Sequence, residues 1–114
     1  MPPKNNPLRL NNLQRKTLAI LQALAADPRA STNLPDTGEV LITEFPPPHG
    51  DHFHVGDTVI MAKDATGLRN EAVWRALERK GLAHGEFPIA IHLTASGLSY
   101  DTGLKERILH RHSH

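Results

Sequence analysis

The chain has 114 residues and only five aromatic side chains, so it can hold one domain with a thin aliphatic core. It has no cysteine, which excludes a disulfide framework, a thiol nucleophile and Cys-ligated zinc, and no apolar run nears the roughly 18 residues of a membrane span. Its formal net charge of +1 is unevenly spread: residues 27–57 carry six acids against Arg29 alone, and bases exceed acids on both flanks.

Residues 1–9 read as a flexible arm, polar and Pro-rich, without the apolar segment of a signal peptide. Together with the missing cysteines, this gives the expectation of a cytoplasmic protein. A first helix starts near Asn11 or Asn12, where Asn11 and Gln14 have the spacing of a capping box. Leu10, Leu13, Thr17, Ile20, Leu21 and Leu24 form its apolar stripe, and Asp27-Pro28 ends it. Residues 28–38 read as a loop. Val40–Ile42 is a short strand, and Pro46-Pro47-Pro48 opens an irregular stretch that runs to His54.

A second helix is placed at about Thr58–Ala65, with a strand over Val59–Met61 as the alternative. Thr66-Gly67 is read as its turn, with Gly67 at positive φ. Asn70 can cap a third helix over about Glu71–Lys80, which Gly81 stops. Its inner face carries Val73, Ala76 and Leu77, and Trp74 at the edge of that face is read as core filling more than as a stacking platform. A strand near Leu82-Ala83, a turn at His84-Gly85-Glu86 and a strand over Ile89–Leu93 follow. A short capped helix then runs from Thr94 to Tyr100. Residues 104–114 read as a C-terminal tail, with Leu104, Ile108 and Leu109 as a stripe that a second copy could cover to make a homodimer, and with His110, His112 and His114 as a polar end.

The segment Met61-Ala62-Lys63-Asp64-Ala65-Thr66-Gly67-Leu68 looks like the second helix and turn of a helix-turn-helix. Val73-Trp74-Arg75-Ala76-Leu77 looks like its recognition helix, and Lys80-Gly81-Leu82 like the exit into a wing. With Leu93-Thr94-Ala95-Ser96-Gly97-Leu98 as the return strand, these residues resemble bacterial winged-helix regulators of the multiple-antibiotic-resistance type. The resemblance implies an α+β fold over residues 10–103, a three-helix core with a small antiparallel wing, and transcription-regulator-like binding to DNA. Lys63, Arg69, Asn70, Arg75, Arg79 and Lys80 are then the candidate contacts, because arginine can read guanine, asparagine adenine, and all of them phosphate.

Two other classes stay open. Glu71 and Glu78 share the outer face of the third helix and the wing carries no arginine, which suits a module that binds protein and not DNA. His49, His52 and His54 lie close together, and a His-x-His pair in an extended segment suits zinc or nickel, or a response to pH. A hydrolase elbow, a phosphate loop and a Gly-x-Gly signature are all missing from the sequence, so no enzymatic activity is expected.

Overall fold

A computed structural model describes residues 6–47 and 50–111 of the chain. The fold is α+β, with antiparallel sheets packed on helices. Helix α1 spans Asn12–Ala25 and is started by a closed capping box: Asn11 Oδ1 accepts the Gln14 amide at 2.8 Å, and Gln14 Oε1 accepts the Asn11 amide at 3.0 Å. Its stripe buries Leu18, Ile20, Leu21 and Leu24 completely. Burial of this kind is worth about 1.5–3 kcal/mol per side chain, which makes α1 the spine of the core.

Strands β1 (Ser31–Leu34) and β2 (Glu39–Ile42) form a hairpin inside the stretch expected to begin as loop. The polar Ser-Thr-Asn text of β1 hid it, because an edge strand need bury little. Strands β3 (His52–Val55) and β4 (Thr58–Met61) form a second hairpin. The irregular stretch therefore ends three residues before His54, and the second helix is replaced by the strand alternative. The reason is period-two burial: Phe53, Val55 and Ile60 point into the core while His54 points out.

A 3-10 turn over Ala62–Asp64 stands where the rest of that helix is expected, and a second over Thr66–Arg69 stands at and beyond the expected Thr66-Gly67 turn. Gly67 is needed there for space and not for positive φ. A Cβ at this position would lie on Thr17 of α1, 3.2 Å from its Cβ and closer still to its hydroxyl. Helix α2 (Glu71–Arg79) follows, capped by Asn70, and then strands β5 (Ala83–Glu86) and β6 (Ala90–Leu93). Trp74 of α2 is 1% exposed. Its indole N–H donates to the Leu68 carbonyl at 3.2 Å, and its ring meets Phe45 and Phe87 at 5.7 and 4.9 Å between centroids. It fills the core.

One sheet has the strand order β1-β2-β6-β5. A smaller sheet has the order β3-β4-β7, where β7 is His110–Arg111. Helices α3 (Ala95–Ser99) and α4 (Lys105–Ile108) close the body. Residues beyond 103 are thus integrated up to Arg111, and Leu104 and Ile108 are buried within their own chain, so they do not offer a stripe to a second copy. At the other end, the arm is tied down from Asn6 onward: Tyr100 Oη donates to Asn6 Oδ1 at 2.5 Å and accepts the Leu8 amide at 3.2 Å.

Candidate nucleic-acid interface and histidine clusters

The outer face of α2 alternates in charge. Arg75 donates from Nη2 to Glu71 Oε2 and from Nη1 to Glu78 Oε1, each at 2.9 Å. The second oxygen of Glu78 accepts the Gly85 amide of β5 at 3.1 Å. Burial pushes the Glu78 carboxyl up, but hydrogen bonds from Arg75 and Gly85, with His84 nearby, outweigh it and hold the group below its ordinary value. The hydrogen bonds to Glu78 and then Glu71 raise Arg75 in turn. Arg75 is therefore held on its own helix by two carboxylates. Asn70 is occupied too, since its Oδ1 accepts the Ala72 amide at 2.9 Å as the helix cap. Arg69, Arg79 and Lys80 lie at the two ends of α2, exposed and without an acidic partner among the described residues.

Lys63 belongs to a different grouping. With Arg15 and Lys16 of α1, Arg107 of α4 and His110 of β7, it borders one cleft whose only acid among the described residues is Asp64. Lys16 Nζ is 3.1 Å from Asp64 Oδ1. Arg15 donates to Asn12 Oδ1 at 2.6 Å and to the Thr102 carbonyl at 3.4 Å, while its Nε is buried without a partner. The residues come from segments about 45 positions apart, so no spacing in the sequence announces the cleft. The sequence puts Lys63 with the contacts of α2, and nothing in the sequence marks Arg107.

Four of the histidines among the described residues fall into two clusters. His52 and His54 are on β3, edge to face at 5.1 Å, and His52 Nδ1 is 3.0 Å from Asp51 Oδ1. That hydrogen bond lowers the Asp51 carboxyl. Across the hairpin these two face Met61 and Val59, which ligate poorly or not at all, and His49 lies outside the described residues. The other cluster is Glu39, His84 and His92, on β2, β5 and β6. The His84 and His92 rings stack at 4.4 Å with 12° between planes. His84 Nε2 is 3.0 and 3.1 Å from the two Glu39 oxygens. His92 Nδ1 is 3.3 Å from Glu39 Oε1, yet it is not aligned for a hydrogen bond and is buried without one.

Compared with known proteins, the chain matches no family model, no curated protein and no solved structure at a significant level.

Proposed function

We propose that this chain is a winged-helix-like domain that binds nucleic acid, holding the phosphate backbone chiefly at the Arg15–Lys16–Lys63–Arg107 cleft. The observation that carries this reading is the convergence of four cations from distant segments on one cleft where Asp64, paired with Lys16, is the one carboxylate among the described residues. Such a surface attracts a polyanion through counterion release, whatever its sequence. The winged-helix frame is supported by the run of 3-10 turns, α2 and the β5–β6 hairpin after α1 and β2, with β1 and the β3–β4 hairpin as additions to that frame, and by the antiparallel neighbours β2-β6-β5. In this frame the β5–β6 hairpin is the wing, and the 3-10 turns take the place of the second helix. Arg69, Arg79 and Lys80 add phosphate contacts at the ends of α2, whereas Arg75, neutralised by Glu71 and Glu78, contributes little.

The test is a salt titration of binding to generic duplex DNA. Each phosphate contact contributes about 0.9 to the slope of log K against log salt, so Lys63→Ala/Arg107→Ala is expected to flatten that slope by roughly 2. Arg75→Ala is expected to leave it unchanged. No binding at low salt, or equal slopes for wild type and the cleft variant, overturns the proposal.

A second reading, a module that docks on protein, is favoured by the balanced centre of α2 and by Ile89. This side chain is 70% exposed between β5 and β6. An exposed apolar side chain on a hairpin connection suits a protein contact more than a phosphate one.

A further inference from the structure

We infer that Glu39, His84 and His92 form a binding site for one divalent transition-metal ion of the zinc class, independent of the nucleic-acid reading. The sheet itself assembles the ligands. His84 and His92 are direct partners across β5 and β6. His92 is also the partner of Leu41 on β2, and Glu39, two residues before Leu41, shares its face of the sheet. Three neighbouring strands thus deliver two imidazoles and a carboxylate to one place, and the three donor atoms all lie within 4.8 Å of one another.

The separations from the Glu39 oxygen fit a metal. Zinc takes nitrogen and carboxylate oxygen at about 2.0–2.2 Å, and in a tetrahedron such donors stand roughly 3.3 Å from each other. Glu39 Oε1 is 3.0 Å from His84 Nε2 and 3.3 Å from His92 Nδ1. A simple hydrogen-bonded pair accounts for the first distance. It does not account for the second, where a buried imidazole nitrogen converges on the same oxygen without the alignment of a hydrogen bond. A cation placed among the three donors gives every one of them a partner. It also neutralises Glu39, whose side chain is only 20% exposed. Two histidines and one carboxylate leave the remaining coordination position open, and His84, half exposed, leaves it to water.

The site differs from the His-x-His text of β3, and the experiment must separate the two. It uses the full chain carrying His112→Ala and His114→Ala, so that the terminal histidines do not compete. Zinc is titrated by calorimetry and cobalt by visible absorption. One saturable ion per chain is expected, with the cobalt bands of a four- or five-coordinate site. Glu39→Gln, which keeps the shape and the hydrogen-bond acceptor, should weaken binding at least about tenfold. His84→Ala/His92→Ala should abolish it, and His52→Ala/His54→Ala should leave it intact. Circular dichroism checks the fold of each variant, and if the double variant does not fold, the Glu39→Gln result decides. The inference is overturned by non-saturable binding, by equal affinity in wild type and Glu39→Gln, or by loss of the site in His52→Ala/His54→Ala.

Discussion

Two hairpins of four-residue strands each carry a pair of histidines, and they treat them oppositely. On β3–β4, His52 and His54 are neighbours along one strand, and the opposite strand supplies Met61 and Val59. On β5–β6, His84 and His92 are eight positions apart in sequence, and the register stacks them ring on ring beside Glu39. A short spacing along one strand brings two side chains to one face and nothing more. Cross-strand register recruits ligands that sequence distance conceals. The hairpins also differ in their anchors. The first is held by the core side chains Phe53, Val55 and Ile60 and by the ladder of β4 with β7, whereas the second is clamped to α2 by the hydrogen bond that the Gly85 amide donates to the Glu78 carboxylate.

This contrast can be broken at several points. Phe53→Ala removes the largest core side chain of the first hairpin and is expected to cost about 3–5 kcal/mol, measured by urea unfolding. A cost below about 1 kcal/mol would mean that this hairpin does not share the common core. Gly85→Ala attacks the second hairpin through its backbone. A Cβ there would stand 2.4 Å from the Ala90 carbonyl oxygen and 2.7 Å from the Ile91 Cα, so about 3 kcal/mol is expected, the upper part of the overpacking range. Wild-type stability for this variant would show that β5 and β6 do not pair as described.

The polar anchors give smaller effects. Glu78→Ala should cost about 1 kcal/mol by removing the acceptor of the Gly85 amide. His52→Ala, whose partner Asp51 is an exposed neighbour, should stay within about 0.5 kcal/mol. Equal losses from the two would erase the difference between the hairpins.

The smallest expected effect is on pH. Glu78 and Asp51 both titrate below their ordinary values in the folded chain. A depressed carboxyl contributes stability that is present above the unfolded value, near 4, and is lost as pH falls through the folded one. The thermal midpoint should therefore drop on acidification below about pH 4, and Glu78→Gln should flatten that drop more than Asp51→Asn. A midpoint that rises on acidification contradicts both assignments.

Much of the helical part of the fold was legible in the sequence. Asn11 with Gln14 and Asn70 before Glu71 are local signals, and the helices they start lie where the text puts them, because a cap and a 3.6-residue stripe act within a few residues. The strands were harder. The pattern places a helix over Thr58–Ala65 and allows a strand over Val59–Met61 as the alternative, and what decides for the strand is that β3 is present to pair with and that Ile60 has a core to enter. The edge strand β1 carries almost no apolar signal at all.

The candidate sites were less legible still. The sequence supplied the individual cations and histidines, and it located α2 and the β5–β6 region. It did not bring Arg15 to Lys63 and Arg107, occupy Arg75 with two carboxylates, or set Glu39 beside His84 and His92. Helix caps and apolar periodicity are short-range properties that the chain determines by itself. Charge convergence and metal-like geometry depend on packing and on strand register, where a shift of one residue would turn His92 and Glu39 to the opposite face, so only the tertiary structure decides them.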